Sequence, residues 1–477
     1  MKWSIEINDF LGGYAPGYYL STYPSYGNKN MAGAMQNVNL IDPAFITQGP
    51  GLTALTTGPT TLIKGLLDFA QASNLTFGVG GNLFYELSAT AVSVKESAPV
   101  LPHVISHDGS ELAEDVAYYQ GAIYYTYNQA GAVGDIGKYD LTRDADADFD
   151  DDWGSTFATG GAALTSNPHP LCVGGNDFLY WGDGARVGSF DGTTFIGTDL
   201  DLPTNSVVSS LVWTANQLWI ATNRPNITGA NKPIGSVYVW NGVDTSWDEE
   251  IRVAGRISAL YVKGGIIYVF YEDLSGYYKI GYINGNYVQE LATFSGGLPA
   301  YYQVTEYKNF LIFNSNGLIF AYGSISPKFP AMLFQLADGG YTTVGCVKNP
   351  FGIPLIASTV TTSYQIAYFN GYDTACNWKT LLFDVSGDGK ESQIDKIKFN
   401  FEVLVTNAKV DWTIRNNKGT AKSTGAISYS VDGAVTQKIV RPSCTCENFR
   451  LELDWTNGNA TNDLRIKNVV IYGHTLQ

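Results

Sequence analysis

Residues 257–291 read ISALYVKGGIIYVFYEDLSGYYKIGYINGNYVQEL. An apolar run at 257–262 leads into a Lys263-Gly264-Gly265 turn and a second run at 266–271. A polar break ends at Gly276, a third run covers 277–283, and Asn284-Gly285 introduces a last run at 287–291. Asn-Gly is the preferred two-residue hairpin turn because both positions tolerate positive φ. The stretch predicts four short antiparallel strands joined by tight turns, the content of one β-propeller blade.

The same order recurs about every 40 residues, the spacing expected of blades. One copy starts near Leu62, with runs at 75–79 and 83–87 about Gly80-Gly81. Another has 116–119, Gln120-Gly121, 122–127 and 136–141. A third covers 170–173, 178–181 and 187–190, with turns at Asn176-Asp177 and Asp191-Gly192. A fourth has 208–213, Asn216, 218–221 and 237–240, closed by Asn241-Gly242. Beyond the 257–291 unit come 303–306, 310–313, Gly317 and 318–322, then 344–347, 353–357, 364–369 and Asn370-Gly371. That makes about seven units, within the usual propeller range. The first two runs of each unit are the most apolar, as inner strands between neighbouring blades must be. A stacked β-solenoid is the competing all-β reading, and four strands per unit favours the propeller.

After Phe383 the pattern changes. Past the polar joint at 384–390 the runs lengthen and alternate, as in Lys396-Ile397-Lys398-Phe399-Asn400-Phe401. That is the signature of sheets with one buried and one wet face. The chain is therefore expected to be all-β, with an extended N-terminal arm over 1–58, an approximately seven-bladed propeller over 59–387 and a C-terminal β-sandwich over 388–477. The arm is expected to lie on the propeller or on a neighbouring subunit.

Composition agrees. The 477 residues are 45% hydrophobic and 13% aromatic, with 31 Tyr and 52 Gly, which suits pleated surfaces and tight turns. The net charge of −15 argues against gripping phosphates by counterion release. An acidic wall past which DNA slides without sticking is compatible with it. Cys172, Cys346, Cys376, Cys444 and Cys446 are odd in number, contain no Cys-x-x-Cys pair and are expected to be reduced thiols. Residues 1–10 hold no apolar run of signal-peptide type, and no stretch is apolar for long enough to cross a bilayer, so synthesis in the cytoplasm is expected.

The order of motifs near the N-terminus resembles that of the propeller proteins at the lower end of the tail channel in short-tailed bacteriophages. These are the tail nozzle, tail tubular protein B and packaged-DNA-stabilisation (hub) proteins. The motifs are Ile5-Glu6-Ile7, Gly12-Gly13, Gln36-Asn37-Val38-Asn39 and Pro50-Gly51-Leu52-Thr53-Ala54-Leu55, in that order. A sandwich after the propeller is similar to the hub type, while the larger inserted domains of some nozzle proteins have no counterpart here. The resemblance implies a homo-oligomeric ring in the virion tail, typically of six subunits. Such a ring contacts adaptor or portal-side proteins and tail fibre or needle proteins, retains packaged DNA and lets it pass without specific binding. On this reading Phe10, Gly12, Gly13, Tyr18, Tyr19, Tyr23, Tyr26, Asn37, Pro50 and Leu52 are the candidate interface residues.

Two acidic stretches invite a metal. Asp144, Asp146 and Asp148 alternate in a run that ends at Asp152, and hard carboxylate oxygens suit Ca²⁺. Asp384, Ser386 and Asp388 with Gly389 and Asp395 match the register of an EF-hand-type loop, but no flanking helix is expected and Asp395 stands where Glu is usual. Solvated loops explain both, so no cofactor is expected and Ca²⁺ is the one cation to test. None of His103, His107, His169 and His474 sits in a catalytic motif, and no nucleophile elbow is present. The chain is expected not to be an enzyme, although carboxylates converging from distant blades would suit a glycoside hydrolase. Aromatics such as Tyr277, Tyr278, Tyr301 and Tyr302 keep a glycan-binding adhesin as the alternative.

Overall fold

The computed structural model describes residues 2–7, 20–22, 32–40, 45–55, 58–70, 75–89, 91–94, 96–97, 101–102, 111–129, 134–141, 149–158, 160–165, 168–224, 234–324, 331–385, 390–457 and 463–476. Among them, seven four-stranded antiparallel sheets follow one another along the chain as blades. The stretch at 257–291 forms the fifth, from Gly255–Lys263, Ile266–Asp273, Tyr278–Asn284 and Tyr287–Phe294, within a few residues of the expected bounds. The inner strands of the blades are Gly65–Leu66, Glu111–Tyr119, Leu171–Val173, Val207–Thr214, Gly255–Lys263, Val304–Tyr307 and Thr343–Lys348. Each touches the next, and the seventh touches the first, so the ring of blades is closed. Apolar clusters fill the spaces between blades, as with Tyr180, Val187, Leu218 and Trp240 between blades three and four.

The seventh blade takes its outer strand from the other end of the chain. Pro50–Ala54 runs antiparallel to Ser363–Tyr372, with Ala54 opposite Ala367 and Leu52 opposite Phe369. Gly51 is required there by space: a Cβ would lie 2.6 Å from the Asn370 carbonyl oxygen and 3.0 Å from that of Tyr372.

The C-terminal sandwich is also woven from both ends. One sheet holds Lys2–Ile7, Ile466–Thr475 and Ser392–Phe401, with Gln437–Val440 and Cys444–Cys446 side by side on the last. The other is centred on Asn448–Asn457, which is flanked by Ala408–Asn416 and, on its other side, by Ala375–Thr380 and Leu382–Asp384. Ala32–Gln36 and Leu20–Thr22 lie beyond those last two strands, and Ala421–Ser428 forms the edge beyond Ala408–Asn416. The alternation expected from the sequence is present: Ile397, Phe399 and Phe401 are buried on one face while Lys396, Lys398 and Asn400 are not. Trp378 and Trp455 are fully buried.

Two expected boundaries change. The segment 1–58 is not a separate arm over its described parts, which are strands of this chain's own sandwich and seventh blade. The propeller ends before Ala375 rather than at 387, because Ala375–Thr380 and Leu382–Asp384 pair with the sandwich strand Asn448–Asn457. The physical reason is the same in both cases: the N-terminal strand occupies the outer position of blade seven, leaving the strand after Ser363–Tyr372 to enter the second module. One hydrophobic core then runs from the sandwich residues Phe399, Leu453 and Ile471 through Val38, Leu40 and Ile46 to Phe310, Phe334, Val344 and Ile356 of blades six and seven. No helix among the described residues is long and apolar enough to cross a membrane.

The closure makes a local prediction. Gly51→Val should wedge Pro50–Ala54 off the seventh blade and cost about 2 kcal/mol or more of stability. Hydrogen exchange followed by mass spectrometry should show faster uptake at 363–372 with blade five, 278–294, unchanged. Equal uptake in both proteins would show that the ring does not depend on this strand.

Candidate functional site

The inner strands carry a set of polar side chains at the propeller axis, and most of them join one blade to another. Asp115, on the inner strand of blade two, accepts hydrogen bonds from Val116 N at 2.9 Å and from Leu171 N of blade three at 2.8 Å. Its neighbour Glu114 accepts from His169 N at 2.9 Å, and Thr126 Oγ1 donates to His169 O at 2.8 Å. His169 itself is fully buried, with Nδ1 3.1 Å from the Gly182 carbonyl oxygen. Asn223 of blade four brackets Ile257 of blade five, donating to its O at 2.7 Å and accepting from its N at 2.8 Å. Gln303 Nε2 donates to Val344 O at 2.5 Å, and Asn349 Nδ2 to Glu306 O at 2.8 Å, which ties blades six and seven twice.

Asp68 of blade one completes the ring. It accepts from Thr305 Oγ1 of blade six at 3.2 Å and from Asn349 N of blade seven at 3.2 Å, and it pairs with Lys348 Nζ at 3.0 Å. Burial works against the Lys348 charge, but the carboxylates of Asp68 and Asp115 outweigh it and hold the ammonium above its ordinary range. Burial pushes Asp115 up to about 7, against the Leu171 and Val116 N–H groups and the Lys348 charge. The nearby hydroxyls and thiols move the same way. Burial, with the charge of Glu114, pushes Tyr302 up to about 12; burial, with Asp68, does the same for Tyr261; Cys172 and Cys346 are pushed up to about 12 by burial.

A carboxyl near neutrality beside a lysine on a concave axis is the arrangement in which catalytic acids are found. Here, however, both Asp115 oxygens already face backbone N–H groups, one of them on the next blade. Buried thiols held this high are not nucleophiles. What the geometry does is fasten neighbouring blades through directional hydrogen bonds. None of Asp68, Asp115 and Lys348 was singled out by the sequence; the signal at Asp115 was a pair of acids, Glu114 and Asp115, leading directly into the apolar run at 116–119.

The residues expected from the sequence fall as follows. Phe10, Gly12, Gly13, Tyr18, Tyr19, Tyr23, Tyr26, Asp144, Asp146, Asp148, Ser386 and Asp388 lie outside the described residues. Asn37 adopts a left-handed φ of 53° and donates from Nδ2 to Ala375 O at 3.3 Å. Pro50 and Leu52 belong to the strand that closes blade seven. Asp384 ends a sandwich strand opposite Asn448, and Asp395 meets His474 Nδ1 at 3.1 Å on the surface. Among the described residues no three His, Cys, Asp or Glu side chains gather as a metal site. The end of the acidic run is engaged in blade two, where Asp151 and Asp152 accept from the hydroxyls of Tyr125 and Tyr127 at 2.5 and 2.9 Å. Tyr301 and Tyr302 are not exposed platforms: they are half-buried and pack edge to face, 5.0 Å apart. Tyr277, in contrast, is 60% exposed.

No protein-family model and no curated protein matches the chain. Solved structures do. A chain of the mitotic checkpoint complex is similar at 14% identity and a TM-score of 0.47, over 70% of this chain and 94% of that one. The extracellular domain of a hybrid two-component system from B. thetaiotaomicron is similar at 10% identity and 0.47, over 72% of this chain and 43% of that one. A protein described as an oxidoreductase (glucose dehydrogenase) from Thermus thermophilus is similar at 9% identity and 0.39, over 67% of this chain and 99% of that one. Likeness at this level bears on no activity, substrate or partner.

The clamp at Asp115 has a pH signature. Asp115→Asn puts an amide NH₂ against a backbone N–H and should cost about 1–3 kcal/mol at acid pH. Because burial raises the native carboxyl from its unfolded value of 3.8 to about 7, the stability it contributes is complete below the lower value and lost as pH rises through the higher. The gap in melting temperature between wild type and Asp115→Asn should therefore narrow between about pH 5 and about pH 8. A gap that stays constant over that range would mean that Asp115 is ionised in the folded protein throughout.

Proposed function

We propose that this chain is a non-enzymatic structural subunit of a bacteriophage tail. It forms a homo-oligomeric ring of the nozzle or hub type around the DNA channel, retaining packaged DNA and guiding its ejection. The observation that carries the reading is the weaving of both chain ends into one body. Pro50–Ala54 closes the propeller, Lys2–Ile7 and Ile466–Thr475 pair inside the sandwich, and a single core joins the two modules. A part that holds pressurised DNA must resist deformation, and a body with both ends hydrogen-bonded into sheets does so. The bonds that Asp115 and Asp68 make from blade to blade support the same reading, since they hold the ring in one register. The N-terminal motif order and the net charge of −15 support a channel protein past which DNA slides. Six subunits, adaptor or portal-side neighbours and fibre or needle proteins follow from the family resemblance.

One observation favours a second reading, a glycan-binding adhesin. Tyr277 and Tyr287, both on blade five, are 60% and 52% exposed, and exposed tyrosines are suited to stacking on sugars. The discriminating experiment is electron microscopy of the purified protein and of virions that contain it. Closed rings with a DNA-wide opening, and density at the distal tiers of the tail, are the expected result. Isolated propellers that bind a glycan array through Tyr277 and Tyr287 would replace the ring with the adhesin.

A further inference from the structure

Cys444 and Cys446 stand one residue apart on the short strand Cys444–Cys446, so both side chains leave it on the same face and Thr445 on the other. Both thiols are free, and both face the sandwich core, at 8% and 3% exposure. Among the described residues their strand is paired on one side only, through Ser392, Gln393 and Ile394. It therefore lies at the edge of its sheet, and Ala421–Ser428, the edge strand of the facing sheet, packs beside it. The pair of thiols sits just inside the rim of the sandwich, with Cys444 the more exposed of the two.

The two sulfurs interact. The Cys446 S–H donates to the Cys444 sulfur, which holds the Cys444 thiol below its usual range; burial opposes this and the Lys422 ammonium adds to it. The same contact, with burial, keeps Cys446 protonated. Ser392 supplies an independent observation. It lies directly opposite Cys446, which in an antiparallel pair brings the two Cβ atoms to about 5 Å, and its fully buried hydroxyl has no partner. A hydrogen-bond donor is thus in reserve beside Cys446 for the moment its sulfur carries charge. The other three thiols have no such setting: burial pushes Cys172 and Cys346 up to about 12 and Cys376 well above its usual range.

We propose that Cys444 and Cys446 form a site of thiol–disulfide exchange with small disulfides of the glutathione class. The Cys444 thiolate attacks one sulfur of the disulfide RSSR; a Cys444–SR bond forms as the S–S bond breaks, and the departing RS⁻ takes the Cys446 proton. Cys446 then attacks the Cys444 sulfur and releases the second RS⁻, which water protonates. The dithiol is oxidised by two electrons and RSSR is reduced to two thiols. Two residues apart along a strand, the Cα atoms are about 6.4–6.8 Å from each other, the long end of what a disulfide spans, so the closed form is strained and readily reduced. The strand can yield to it, being three residues long, at the sheet edge and preceded by Ser443 at a left-handed φ of 47°. The inference does not rest on the tail reading and stands or falls separately from it.

The test starts from the full reduced chain, incubated with glutathione disulfide over a range of glutathione ratios, after which the remaining thiols are alkylated in denaturant and mapped by peptide mass spectrometry. Wild type should form one intramolecular bond, between Cys444 and Cys446, and leave Cys172, Cys346 and Cys376 reduced. Cys446→Ser, in which the second step is blocked, should accumulate a glutathione adduct at Cys444, and Cys444→Ser should react about tenfold more slowly or less. In brief treatment of the native protein with iodoacetamide, Cys444 should be modified first, at a rate that titrates below the usual thiol range. The wild-type map and the iodoacetamide profile need no variant, so a serine variant that folds poorly leaves the test intact. A wild-type chain that stays reduced at every ratio, or that holds an adduct at Cys444 without closing, overturns the proposal. So do five thiols that react at one rate, as general unfolding would produce.

Discussion

The pairing of Pro50–Ala54 with Ser363–Tyr372 is the contact on which the remaining architecture depends. A ring of blades has no stable partial form of its own, because each blade buries its faces only against two neighbours. If blades one and seven part, the cluster formed by Leu55, Ile63, Leu66, Tyr85, Cys346 and Ile366 is opened to water. Closing the ring brings together residues more than 300 positions apart, yet loop-closure entropy grows only slowly with length. The outer strand is the cheapest place to make the join, since it adds backbone hydrogen bonds without disturbing the packed inner strands. The carbonyls of Asn370 and Tyr372 press so closely on Gly51 that the strand has little freedom to slip.

The second module follows from that choice. With the outer position of blade seven taken, the chain after Tyr372 turns into the sheet built on Asn448–Asn457, and the N-terminal segments that lead to Pro50 must cross the same space. The buried amides of Asn37 and Gln48 on that crossing are each paired through one of their two groups. Gln48 is fully buried and accepts from Leu464 N at 3.0 Å, while Gly49 N donates to Asn37 O at 2.6 Å. Buried amides of this kind are costly unless paired, and their pairing fixes the route of the chain. The sandwich and blades six and seven thus share a core instead of meeting at a polar seam, and a hinge between them would expose Val38, Leu40 and Ile46.

The blades were legible because their signals are local. A Lys263-Gly264-Gly265 turn or an Asn284-Gly285 step marks a hairpin from within a few residues, and the structure has positive φ at Gly264, Gly265 and Gly285. The sandwich was legible from alternation along Ser392–Phe401. The closure was not, because Pro50–Ala54 carries no feature that names a partner beyond residue 360. Residues 375–384 read as one more propeller segment for the same reason: a half-buried strand looks alike in a blade and in a sandwich. The axial clamps were hidden by a different limit. The run read from the sequence begins at Val116 and stops short of Asp115, and only the fold brings Leu171 N within 2.8 Å of that side chain.

Those clamps also bear on why a propeller would be used as a rigid part. Apolar packing between blades is non-directional and tolerates sliding, whereas the bond from Asp115 to Leu171 and the paired bonds between Asn223 and Ile257 each specify one register. The axial ion pair adds less, since Asp68 is 39% exposed and solvent screens it. The directional hydrogen bonds therefore hold the register, and the apolar clusters supply most of the cohesion. Asp68, Asp115, Asn223 and Gln303 are all turned to neighbouring blades. Register is thus written into the blades by single side chains, while the bulk of the cohesion between blades stays with the apolar clusters that fill the spaces between them.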